Sequence, residues 1–172
     1  MILVLGSINM DLFFTVAALP APGETVLSDR AEMRPGGKGA NQAYAAARAG
    51  AQTVFVGCIG NDPFGPVVRA ALQEAGCDTS CMSVVDAPTG TAAVMVEASG
   101  ENQIVVASGA NLSVRANMIP DAALGPTATL LCQMEIPIAQ TEAALTRAKA
   151  AGARTILNLA PAAPLSDAAL AA

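Results

Sequence analysis

Short apolar runs divided by glycine, proline and polar punctuation set the pattern of the chain. Ile2–Leu5 is a continuous apolar run closed by Gly6, which predicts a strand buried on both faces. Residues 12–16 form a second extended piece. Leu19-Pro20-Ala21-Pro22-Gly23 then breaks the pattern, and residues 24–27 are read as a strand resuming after the turn. With no helix between these segments, at least some of them pair antiparallel.

Beyond Pro35-Gly36-Gly37-Lys38-Gly39 the period becomes helical, with Ala40, Ala43, Tyr44 and Ala47 at i, i+3, i+4, i+7 and Gly50 ending the run. Residues 53–59 return as a β-branched strand. Asn61-Asp62-Pro63 supplies cap residues and a proline for a helix whose Val67, Ala71, Leu72 and Ala75 share a face before Gly76. Residues 92–97 and 103–107 are strand-like and joined by a loop suited to a hairpin. Residues 129–133 predict a strand, 138–151 a helix with Ala144, Leu145 and Ala148 inward, and 155–159 a further strand. After the loop of residues 158–164, Ser166-Asp167 reads as a helix beginning. The order implies an α/β fold: a mainly parallel sheet flanked by helices, with a β-rich insertion. No internal repeat or linker marks a domain boundary, so residues 1–172 are read as one unit.

Composition narrows the function. The 172 residues are 53% hydrophobic and carry a net charge of −5, which excludes disorder and leaves no basic surface for a nucleic acid backbone. Uncharged stretches such as 122–134 reach 13 residues, too few to span a bilayer. The N-terminus lacks a basic region ahead of its apolar run, so a cytoplasmic protein is expected. Cys58, Cys77, Cys81 and Cys132 form no C-x-x-C pair and are read as buried reduced thiols. There is no histidine, which removes Ser-His-Asp and Cys-His nucleophile systems and any imidazole base. Chemistry must rest on carboxylates, lysine or backbone dipoles.

The glycine segment is the main candidate. Gly36, Gly37 and Gly39 either make a tight turn into the helix or let the backbone approach a ligand at which that helix would aim its free N–H groups. It is neither a P-loop, since Gly39 follows Lys38, nor G-x-G-x-x-G, since Gln42 stands at the last position. With seven arginines against two lysines, Lys38 is not the chain's default basic residue; it is read either as an ammonium suited to sugar hydroxyls or as a solvated loop lysine. Asn9 and Asp11, at i and i+2 just past the first strand, form either a polar turn or an amide–carboxylate pair for neighbouring hydroxyls. Glu135 follows a strand in the same way, as a helix-start charge or a site group. Asn61, Asp62 and Asn111 are read as caps and turn residues. The carboxyl ends of strands are where open α/β sheets gather ligands.

Gly6-Ser7-Ile8-Asn9-Met10-Asp11, Pro22-Gly23-Glu24-Thr25, Gly36-Gly37-Lys38-Gly39-Ala40-Asn41-Gln42-Ala43, Gly60-Asn61-Asp62-Pro63-Phe64-Gly65 and Gly109-Ala110-Asn111, in this order, resemble the ribokinase branch of the PfkB carbohydrate kinases. Gln133-Met134-Glu135 and Asn158-Leu159-Ala160-Pro161-Ala162 extend the resemblance over the whole chain. It implies a Rossmann-like core with a small β-sheet lid, drawn from strands within 11–35 and 91–107, through which such proteins pair as homodimers. It further implies that Asn9, Asp11, Gly37, Lys38, Gly39, Asn41 and Glu135 bind D-ribose. The reaction implied is transfer of the γ-phosphoryl group of MgATP to the sugar's 5-hydroxyl, with a monovalent cation, potassium, in attendance. The aspartate base of that branch belongs to a Gly-Ala-Gly-Asp motif that these residues lack, and it and the nucleotide-binding half are expected beyond residue 172. The chain is accordingly expected to be the N-terminal portion of such a kinase and inactive alone. The alternatives are a non-catalytic sugar-binding or dimerising module, and a kinase for another sugar or a nucleoside.

Overall fold

In the computed structural model, which describes residues 1–172, β1 (Ile2–Leu5) is the middle strand of a five-stranded parallel sheet. The others are β4 (Thr53–Gly60), β5 (Met82–Val85), β8 (Thr129–Cys132) and β9 (Arg154–Leu157), in the order β5-β4-β1-β8-β9. β1 pairs with β4 from Ile2↔Thr53 to Leu5↔Val56, and with β8 from Ile2↔Thr129 to Leu5↔Cys132.

Alternation of side chains along β1 sorts the core into two layers. Leu3 and Leu5, with Val56, Leu130 and Cys132, pack against Ala144, Leu145 and Ala148 of α3 (Ile138–Ala150). Val4, with Phe55 and Ile59, faces Ala40 and Ala43 of α1 (Lys38–Arg48) and Val68 and Leu72 of α2 (Phe64–Glu74). Helices on both faces explain why β1 is apolar throughout. All four cysteines are free; three are buried, Cys81 is partly so, and burial pushes the Cys132 thiol up to about 12.

A second sheet of four strands has the order β3-β2-β6-β7, built from β2 (Asn9–Val16), β3 (Arg30–Gly36), β6 (Gly90–Glu97) and β7 (Asn102–Ala107). β2–β3 and β6–β7 are antiparallel, and β2–β6 is parallel.

Several expectations are corrected. Residues 24–27 are not a strand: β3 begins at Arg30, opposite Thr15, so the earlier segment lies past the end of β2 with no edge to pair with. Tyr44 is exposed, because the inward stripe of α1 is Gly39, Ala40 and Ala43; in so alanine-rich a helix the periodicity does not choose a face. Val67 is likewise exposed, and Val68 takes its place with Gly65 and Leu72. β5 was not anticipated, being a four-residue, half-exposed edge strand. The last strand closes at Leu157, two residues short of the expected end. Asp62 does cap α2, its Oδ1 accepting from the N–H groups of Phe64 and Gly65 at 3.0 and 2.9 Å. It also accepts from the backbone and hydroxyl of Thr89. Burial raises this carboxyl, but those four hydrogen bonds outweigh it and hold Asp62 below the usual range.

Candidate functional site

The chain leaves β1 toward β4 on one side and reaches β8 on the other, so the carboxyl ends of β1 and β8 flank the crevice where α/β sheets hold ligands. Ser7 and Asn9 leave the end of β1, and Gln133 and Glu135 leave the end of β8. α1 enters between them.

Glu135 is the hub. Its Oε2 accepts from the Ser7 hydroxyl at 2.7 Å and from the Lys38 backbone N–H at 2.9 Å, while Oε1 lies 3.3 Å from Lys38 Nζ. The Ser7 hydroxyl in turn accepts from the Gly39 N–H at 3.3 Å, and the Ser7 carbonyl accepts from Ala40 at 2.9 Å. The expectation that the first turn of α1 offers free N–H groups to a ligand is thereby corrected. Those of Lys38, Gly39 and Ala40 are satisfied within the protein, and the anion at the helix N-terminus is Glu135 itself.

The glycines follow the same logic. Gly37 has φ +90, and a Cβ there would meet Ile8 Cα at 2.9 Å; one at Gly39 would meet the Ser7 nitrogen at 2.7 Å. Both let α1 touch the β1–β2 connection. Gly36 makes room for a side chain instead, since a Cβ would stand 2.0 Å from Asp11 Oδ2.

Asp11 is half-buried, and its Oδ1 is buried with no hydrogen-bond partner. Burial raises its carboxyl above the usual range, the negative charge of Glu135 adds to the shift, and Lys38 opposes it. Asn9, 3% exposed, accepts through Oδ1 from Asn111 Nδ2 at 2.8 Å. Asn9, Glu135 and Asn111 line one cavity of about 350 Å³, whose apolar wall includes Val106 and Ile136. Asn41 stands apart: it is exposed and lines a groove of about 810 Å³ between α1 and α2 with Tyr44 and Val67.

Two residues at this site escaped the sequence reading. Ser7 is fully buried and holds Glu135, yet a serine after a strand is unremarkable in sequence. Asn111 sits in a turn, as expected, but its amide also reaches back to Ile8 and Asn9, more than a hundred residues away. Its place in Gly109-Ala110-Asn111 was the available signal.

The arrangement can hold a polyhydroxylated molecule, with a lysine ammonium and an asparagine amide as donors and an orphaned carboxylate as acceptor. No three His, Cys, Asp or Glu side chains converge as a metal-ligand group in residues 1–172.

The pfkB family carbohydrate kinase profile matches residues 1–172. The ribokinase of Haemophilus influenzae is 42% identical over 167 residues, covering 95% of this chain and 55% of that protein. Among solved structures, ribokinase from Cryptococcus neoformans in complex with ADP superposes with a TM-score of 0.84 at 39% identity, over 95% of this chain and 52% of that one. Arabidopsis thaliana ribokinase complexed with ribose and ATP gives 0.84 at 30% identity, over 98% and 56%. The chain spans about half the length of the curated relatives it matches.

Proposed function

The chain belongs to the pfkB family of carbohydrate kinases, and on that premise we propose that it forms the sugar-holding part of a ribokinase-type enzyme, which transfers the γ-phosphoryl group of ATP to the 5-hydroxyl of D-ribose. The observation that carries the proposal is Asp11, whose buried Oδ1 lacks a partner beside the Asn9 amide and the Lys38–Glu135 pair. Burial leaves this carboxylate short of hydrogen bonds, which is costly, and a sugar hydroxyl that reaches the carboxylate by displacing part of its cover offsets that cost. Asn9 donates to a neighbouring hydroxyl. Lys38 keeps donors beyond the one facing Glu135, and the glycines keep the loop against the β1–β2 connection. Asn41 would join only if its side chain turns inward from the α1–α2 groove.

Phosphoryl transfer depends chiefly on positioning and charge stabilisation. The part these residues play is to fix the acceptor sugar so that its primary hydroxyl projects from the crevice. Neither carboxylate is free to act as the base: Glu135 already accepts two hydrogen bonds and faces Lys38, and Asp11 is committed to sugar. With neither carboxylate free as the base, residues 1–172 alone are expected to bind sugar without turning it over. We take the whole enzyme to be cytoplasmic; no helix of the chain is long and apolar enough to cross a membrane. The small sheet is then a lid, and its exposed β7 the surface for a homodimer.

Calorimetric titration with D-ribose tests the proposal. Saturable binding that ATP does not alter is expected, and a flat titration overturns the sugar-holding role. Ribose-dependent ADP release by the mass-verified 172-residue chain would overturn the division of labour.

A further inference from the structure

Asn111, 1% exposed within the 3₁₀ turn Gly109–Ser113, makes three hydrogen bonds to a segment 102 and 103 residues earlier. Its Oδ1 accepts from the Ile8 N–H at 2.9 Å. Its Nδ2 donates to the Ile8 carbonyl at 3.2 Å and to Asn9 Oδ1 at 2.8 Å. Gly90 makes room for this contact, since a Cβ there would stand 2.2 Å from Asn9 Oδ1 and 2.3 Å from Asn111 Nδ2.

The two ends of an amide side chain are hard to tell apart by shape, so their assignment must come from their partners. Here the partners decide it. A backbone N–H only donates and a carbonyl only accepts, so one orientation of Asn111 satisfies Ile8. The reverse sets donor against donor and acceptor against acceptor in a buried place. With Asn111 Nδ2 thus assigned, the atom of Asn9 that meets it must be the acceptor, Oδ1. The Asn9 Nδ2 therefore turns away from Asn111. Asp11, two residues on, presents only acceptors when ionised.

We infer that Asn111 is a positioning residue that relays the backbone polarity of Ile8 through Asn9, so that the site offers a donor from Asn9 beside an acceptor from Asp11. The inference rests on the sugar-holding reading and adds to it a rule of selectivity. Of two adjacent hydroxyls, one accepts from Asn9 and the other donates to Asp11, and a site built this way rejects a ligand lacking either partner.

Crossed substitutions test the relay. Asn9→Asp keeps an oxygen for Asn111 Nδ2 and replaces only the ligand-facing nitrogen. Asn111→Asp keeps an oxygen for the Ile8 N–H but sets another against the Ile8 carbonyl and Asn9 Oδ1. Hydrogen exchange of the Ile8 amide is expected to stay slow in N9D and to quicken at least about tenfold in N111D. The D-ribose dissociation constant is expected to rise at least about tenfold in N9D, within the usual effect of unpairing a buried polar group. Ribose binding by N9D as tight as wild type, or the opposite order of exchange, overturns the relay. Should N111D not fold, Asn111→Ala replaces it: the N9D penalty must shrink in that background, where Asn9 is free to turn, and an unchanged penalty overturns the relay. A wild-type protein that binds no ribose overturns the sugar-holding reading, while the exchange comparison, which needs no ligand, still decides the relay.

Discussion

Asp11 weighs against stability and in favour of binding at once. Its partnerless oxygen and raised carboxyl, due to burial and then to Glu135 against the opposing Lys38, mean that ionising it opposes folding. A group whose folded pKa is raised binds more protons when folded, so stability falls as pH rises through that value. Asp11→Asn removes the charge while keeping the shape. We expect D11N to melt above wild type at pH 7, with the difference closing as pH drops below the ordinary carboxylate range, and to lose ribose binding. Thermal melts between pH 3 and 8 check the first part, and a wild type that outlasts D11N at pH 7 refutes it. The sequence made Asn9, Asp11, Lys38 and Glu135 legible as candidates because each stands at a strand end or a glycine loop. Ser7 and Asn111 were not legible, because their roles depend on partners brought near only by the fold: Glu135 across the crevice and Ile8 across the β1–β2 link.

Elements, by contrast, could be read from the chain wherever one apolar stripe or run had no rival. β1, β4, β8 and α3 were anticipated within two residues, since continuous apolar runs and a clean helical face admit one reading. Alanine on every side of α1 and adjacent valines in α2 left the inward face to be chosen by packing, and packing chose against Tyr44 and Val67. Contact between α1 and β1 is close because it is made backbone to backbone. A Cβ at Gly39 would lie 2.7 to 2.8 Å from the Gly6–Ser7 main chain, whereas one at Gly125 meets nothing within 4 Å. Gly39→Ala is therefore expected to cost about 1–3 kcal/mol, the usual price of overpacking, and to weaken ribose binding by displacing Lys38. Gly125→Ala is expected to be neutral or slightly stabilising, because it narrows the unfolded ensemble without a clash. Urea denaturation of the pair checks this, and equal midpoints would refute the packing argument.

For the molecule as a whole, the two sheets answer different demands. The parallel sheet is covered by helices on both faces, while every residue of β7 is exposed at the edge of the small sheet. Register divides that sheet into two faces: Asp11, Ala92 and Val106 share the side of the candidate site, and Met33, Leu12, Ala93 and Val105 share the other. Met33 and Val105 are both 66% exposed, and Ile104 and Val106 are 54% and 46% exposed. An edge strand with three consecutive exposed apolar residues and no charge among them lacks the devices that keep edges apart. A second copy of the same sheet would cover this surface and, by ordering β6 and β7, steady the wall that carries Val106 beside Asn9. Sedimentation is therefore expected to show concentration-dependent dimers. Val105→Lys, which places a charge on the outer face away from Asp11, is expected to shift the protein to monomers with little change in its melt, since an exposed valine contributes little to the folded monomer. A wild type that sediments as a monomer at every concentration, or a V105K dimer as strong as wild type, would mean that β7 is not the surface through which copies meet.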